Sequence, residues 1–205
     1  MSDIQTRLFD HYDDAAAAVT ALEAAAVPRD DISIVAQDGD HVRTKSVDGN
    51  VNEDGDVSRG ASTGAAIGGV GGLLAGLGLL AIPGLGPIVA AGWLVATAAG
   101  AGIGALGGAA TGGIVGALKH AGHSDEDAHV YSEGLRRGGT LVSVRNAGGR
   151  AAEVDNLLAG SRGVDAATRG KVYRDAGWSA FDEKAPAYNR DQANDERTRY
   201  ASSDR

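Results

Sequence analysis

Cysteine is absent from the 205 residues of the chain. That excludes disulfide frameworks, thiolate metal sites and cysteine nucleophiles. Aromatic residues are scarce, at 4 %. Large aromatic side chains normally dominate core energetics, so burial here must rest on aliphatic residues and on close backbone approach. Charge is missing altogether from residues 60–118, between Arg59 and Lys119, which hold no acid, base or histidine. The formal net charge of -8 arises entirely before that stretch, where residues 1–59 carry 13 acids against 5 bases. Residues 119–205 balance 14 acids with 14 bases. No segment is a basic patch of the kind that neutralises phosphates, so nucleic acid is not expected as a partner. The start, MSDIQTRLFD, lacks the basic region and apolar run of a signal peptide. Both flanks of the uncharged stretch are therefore expected in the cytoplasm.

What the chain has in excess is glycine, 32 residues of it. In the uncharged stretch glycines recur at an interval of four: Gly60, Gly64, Gly68, Gly72 and Gly76, then Gly92, Gly100, Gly104, Gly108, Gly112 and Gly116, with Ala96 filling the gap. That interval keeps residues in one slowly drifting row on a helix face. Glycine in such a row lets a second backbone approach closely, the small-xxx-small mode of helix association. Between the two runs, Pro83, Gly84, Gly86 and Pro87 supply a helix stop, a turn and a first helical position. The stretch at 60–118 therefore reads as a glycine-zipper helical hairpin. Two environments suit it: a membrane, in which each arm is long enough to cross the hydrocarbon, or a soluble oligomer in which hairpins pack together.

The flanks read as α+β. Ile4 to Phe9 is an expected strand. Asp13 or Asp14 would cap an alanine-rich helix over 14–26 that Val27-Pro28 ends, and Asp31 to Ala36 is a second strand. Past the hairpin, Ser124 would cap a helix with Asp125, Glu126 and Asp127 in its first turn, Arg136 and Arg137 at its end and Gly138-Gly139 as its stop. Thr140 to Arg145 alternates as a strand, Arg150 to Ala159 is a helix, and a weak strand is expected near Val164 to Thr168. The expected organisation is a first βαβ half at 1–37, an acidic polar loop at 38–59, the hairpin at 60–118, a second half at 119–172, and a polar, disordered tail at 173–205. Trp178, Phe181, Tyr188 and Tyr200 are isolated aromatics in that tail.

Candidate chemistry is sparse. Asp48 to Arg59 has the density of acids of a calcium loop but places Glu53 where the turn needs glycine and Arg59 where the bidentate glutamate belongs. Gly102-Ile-Gly104-Ala-Leu-Gly107 matches a dinucleotide fingerprint in letters only, since no strand precedes it and the zipper explains each glycine. His120, His123 and His129 lie near Asp125, Glu126 and Asp127 and could in principle hold a transition metal. Their spacing straddles a helix start, so capping acids beside surface histidines is the plainer reading. No catalytic residue, cofactor site or metal site is assigned, and no enzyme activity is expected.

The segments FDHYDDAAAAVTALEAAAVPRDDISIVAQD and EDAHVYSEGLRRGGTLVSVR, with the Gly/Ala hairpin between them, resemble the bacterial heat-induced general stress protein family, the general stress protein 17M-like domain. The resemblance covers about residues 4–170, and Tyr131, Glu133, Gly134 and the turn Arg136-Arg137-Gly138-Gly139 carry its most specific part. It implies a split ferredoxin-like βαβ…(α)βαβ domain interrupted by the hairpin, and a role in stress response. The resulting expectation is a non-enzymatic stress protein that self-associates through the hairpin, with a membrane as partner at the cytoplasmic face of the inner membrane. The alternative is a soluble module of the cytoplasm that senses a ligand or metal and oligomerises through the same hairpin.

Overall fold

The computed structural model describes residues 4–37, 78–82, 85–94, 96–97 and 113–203. Its strands are β1 (Gln5–Phe9), β2 (Ile32–Gln37), β3 (Gly78–Ile82), β4 (Gly86–Gly92) and β5 (Thr140–Val144). Its helices are α1 (Tyr12–Ala24), α2 (Gly113–His120), α3 (Asp125–Arg136), α4 (Ala151–Gly160), α5 (Ala166–Asp175) and α6 (Arg190–Ser203). The strands form one five-stranded sheet in the order β1-β5-β2-β4-β3, antiparallel at every pairing. Since β5 runs against both β1 and β2, those two strands point the same way with β5 between them, and α1 is their crossover.

Alternation along the strands sends neighbours to opposite faces, and both faces are covered. Phe9, Ile34 and Val142 pack with Ala15, Ala18, Val19 and Leu22 of α1 and Val154 and Leu158 of α4. Leu8, Val35 and Leu141, one step along each strand, pack with Leu118 of α2, Tyr131 and Leu135 of α3 and Tyr173 of α5. The alanine-rich α1 thus works as a thin apolar stripe at i, i+3, i+4 and i+7. His11 rather than an aspartate occupies its N-cap, and Asp13 and Asp14 lie in the first turn against the helix dipole. The helix stops at Ala24, where Ala26 takes a left-handed φ of 58°. Ser124 caps α3 as expected, its hydroxyl accepting from the Asp127 amide.

Three expectations are corrected. Around the turn, the arms of the expected helical hairpin are strands: residues 78–82 and 86–92 form β3 and β4, registered on each other and on β2. Ile88, Val89, Ala90 and Ala91 are all buried, and a short apolar run buried on both sides has no periodicity to separate strand from helix. β-Branched Ile82, Ile88 and Val89 favour the strand. Pro87 is tolerated because it sits one step past Gln37↔Ile88, the last pair with β2. The expected strand at Val164 to Thr168 shrinks to one bridge, Leu8↔Val164, because Asp165 accepts from the Thr168 amide and starts α5. The expected disordered tail, residues 173–205, is instead folded over its described part: α5 completes at Asp175 and α6 follows, with Tyr173, Phe181, Ala193 and Glu196 buried. A polar composition was the basis for disorder; a few aromatics and a set of ion pairs hold the segment down.

Candidate functional site

Of the expected packing glycines, Gly60, Gly64, Gly68, Gly72, Gly76, Gly100, Gly104, Gly108 and Gly112 lie outside the described residues, as do Pro83 and Gly84 of the turn. Gly86 and Pro87 open β4. Gly116 sits half-buried in α2. Gly92 ends β4 with φ of 97°, and a β-carbon there would stand 2.2 Å from the Ile32 carbonyl oxygen. Its glycine serves a backbone crossing of β2, not a helix face. The acidic loop at 48–59 and the Gly102–Gly107 motif also fall outside the described residues.

The three histidines do not converge. His123 is half-buried against β1, with Nε2 2.9 Å from Thr6 Oγ1, and that hydroxyl donates to Ser143 Oγ. Its ring meets Tyr131 edge-on, and burial lowers its pKa against the opposing charge of Asp127. His129 Nδ1 instead accepts from the Phe181 amide, and His120 is exposed at the end of α2. Among the described residues no group of three or more histidines and acids is placed to hold a metal.

The site that does assemble is at the end of α3. Glu133, wholly buried, faces Arg136 and Arg137 one turn later, the i,i+3 and i,i+4 spacings that meet on a helix. It accepts from Arg136 Nε at 2.8 Å and from Arg137 Nε at 2.6 Å. Gly138 then takes φ of 89°, its amide and that of Gly139 donating back to Leu135 and Gly134, which reverses the chain into β5. Each arginine keeps a free end for the C-terminal segment. Arg136 Nη1 donates to the Pro186 carbonyl and its guanidinium lies 4.8 Å from the Tyr188 ring. Arg137 Nη1 donates to Glu196 Oε2 at 3.2 Å, and the guanidinium covers the Tyr173 ring at 4.2 Å.

Two further arginines close the seat. Arg169 of α5, 3 % exposed, donates to Asp10 Oδ2 at 2.8 Å and stacks 3.9 Å over the Tyr200 ring. Arg197 of α6 donates to the Asp10 carbonyl at 2.7 Å and to the Gly138 carbonyl at 3.0 Å. Burial and Glu196 push Tyr200 up to about 12, and burial raises Tyr173 well above its ordinary value, so both phenols stay neutral. Burial works against the charge on Arg137, but its bond to Glu133 outweighs that and raises its pKa. The four guanidiniums thus remain cations, answered by Asp10, Glu133 and Glu196. The cavity left among Leu8, Gly134, Tyr173 and Tyr200 is about 10 Å³, room for a single water. Nothing substrate-sized fits there; the arrangement holds one protein segment against another.

In the sequence, Arg136 and Arg137 mark only the end of a helix, and the aromatics after residue 175 only a loose tail. The Glu133-Arg136-Arg137 spacing was the signal for the buried pair. Nothing local pairs Glu196 with Arg137, 59 residues away.

Fold and site together define an α+β protein with one antiparallel sheet, helices on both faces and a polar seat for its own C-terminal helix. Residues 6–82 match the family model of the heat induced stress protein YflT domain, so the resemblance to the heat-induced general stress protein family is borne out over those residues. No curated protein and no solved structure matches the chain.

Proposed function

We propose that this is a non-enzymatic general stress protein that acts by self-assembly through the uncharged stretch at 60–118, with a split ferredoxin-like domain carrying it. The observation that supports the reading is the recurrence of glycine every fourth residue over a segment without a single charge, set into a domain whose buried charges are answered by ion pairs. In the ferredoxin-like reading, β1-α1-β2 and β5-α4 with the Val164 bridge are the two halves, and the inserted stretch leaves after β2 and returns through α2. A cytoplasmic location goes with this proposal.

Membrane association through the same stretch is the second reading, favoured by its lack of charge. Among the described residues no helix is long and apolar enough to cross a membrane. Residues 78–82 and 86–92, within the stretch's most hydrophobic window, pair as strands with each other and with β2. Self-assembly is therefore placed first.

Co-expression of tagged and untagged full-length chains tests the proposal. An uncharged interface is little affected by salt, so the untagged chain should co-purify through a wash at about 1 M sodium chloride; recovery of tagged chain alone sinks the proposal. Alkaline extraction of membranes tests the second reading, which fails if the chain is released with peripheral proteins.

A further inference from the structure

We propose that residues 182–203 are a detachable arm and that the seat they occupy at the end of α3 takes the same arm from a second copy of the chain. The surface is independent of the glycine row and is built on charge. Its occupant is held by few apolar contacts: in α6 only Ala193 among the hydrophobic residues is fully buried. The rest of the grip is polar or aromatic: Arg137 on Glu196, Arg197 on the Asp10 and Gly138 carbonyls, Arg136 on the Pro186 carbonyl and over the Tyr188 ring, the Tyr188 amide on the Arg136 carbonyl, and Tyr200 against Arg169 and Tyr173. Segments held by polar contacts with little buried apolar surface open below the free energy of global unfolding.

The arm also has a hinge and its own helix start. Phe181 is the last residue before α6 with a buried ring, and its amide donates to His129; no helix or strand follows until Arg190. At the head of α6, Asn189 Oδ1 accepts from the Gln192 amide and Gln192 Oε1 accepts from the Asn189 amide, a reciprocal cap that travels with the arm. The seat reads a particular pattern: a small residue at 193 against Gly138, an acid at 196 for Arg137, a guanidinium at 197 for two carbonyls, and a ring at 200 under Arg169. A β-carbon on Gly138 would stand 2.8 Å from the Ala193 β-carbon, so the fit is tight. The occupant that presents this whole pattern is another copy of the arm, and reciprocal exchange closes a two-fold dimer. The tethered arm competes at an effective concentration on the order of millimolar, so exchange emerges when the tethered contact is loosened.

The test is a dye-labelled peptide of residues 182–203 titrated into full-length chain by fluorescence anisotropy. With Glu196→Gln and Tyr200→Ala in the chain the tethered arm is weakened and the seat kept, and the peptide should bind at least about tenfold more tightly than to the unaltered chain. A peptide carrying Glu196→Gln and Arg197→Gln should lose at least about tenfold in affinity, a comparison that leaves the chain untouched. Equal binding of the two peptides, or no gain on weakening the tethered arm, overturns the proposal. Hydrogen exchange on the unaltered full-length chain is the second readout. Amides of 190–203 should exchange at least about tenfold faster than those of β5, and exchange of both at one common rate contradicts the detachable arm.

Discussion

Gly92→Ala separates the strand pairing seen here from the helical hairpin that the glycine interval suggests. In the sheet, Gly92 holds φ of 97°, and an added β-carbon would meet the Ile32 carbonyl oxygen at 2.2 Å and the Ser33 α-carbon at 2.7 Å. Both obstacles are backbone of β2, so no rotamer change relieves them. Backbone strain in that region costs about 1–3 kcal/mol, and forced overpacking costs a further 1–3 kcal/mol or so. The expected loss is therefore about 2–6 kcal/mol, a large part of the roughly 5–15 kcal/mol of a typical domain. With a urea dependence of about 2 kcal/mol per molar, the midpoint followed by circular dichroism should fall by roughly 2 M. In a helix the same change would be favourable by about 1 kcal/mol, so the two arrangements predict opposite signs. Gly160→Ala is the control: it ends α4 with nothing within 4 Å of the new methyl, and its midpoint should hold or rise slightly. A Gly92→Ala midpoint equal to or above that of the unaltered chain refutes the pairing of β4 with β2.

Glu133→Gln leaves Arg136 and Arg137 without their buried carboxylate, and breaking one side of a buried pair costs about 3–5 kcal/mol; a loss under about 1 kcal/mol in urea unfolding contradicts the packing at the end of α3. Ala26→Gly removes a methyl from a left-handed residue and should stabilise by about 0.5–1 kcal/mol, read as a raised melting temperature. For His123 the folded pKa lies below the unfolded one, so the unfolded chain binds the proton first as pH falls. Its contribution is complete above the unfolded value of about 6.5 and is lost as pH drops from there toward the folded pKa. His123→Gln should flatten that part of the stability–pH curve, and an unchanged slope counts against the half-buried site beside β1.

The α+β flanks were legible because their signals are local. Ser124 with three acids behind it specifies one helix start, and the Ala15-Ala18-Val19-Leu22 stripe specifies one buried helix face. The alternation of Thr140 to Val144 likewise placed β5 to within a residue. The inserted segment misled where two structures share one pattern. Pro83, Gly84, Gly86 and Pro87 reverse a helical hairpin and a β-hairpin equally well, and Leu79 to Ala91 is too uniformly apolar for periodicity to separate them. The seat at the end of α3 was half legible. Glu133, Arg136 and Arg137 announce their pairing by spacing, whereas Asp10, Arg169, Glu196 and Tyr200 come together only through the tertiary fold. A polar tail with few aliphatics looks unfoldable until its anchors are counted in space.

Sedimentation of the full-length chain without detergent, beside a variant with Gly64, Gly68 and Gly72 changed to leucine, tests the assembly claim most directly. In about 1 M sodium chloride, where charge-based contacts are screened, the unaltered chain should sediment as an oligomer. The variant, whose bulky side chains block close backbone approach, should sediment as a monomer. A monomer in both, or an oligomer unaffected by the three leucines, would contradict self-assembly through the glycine row.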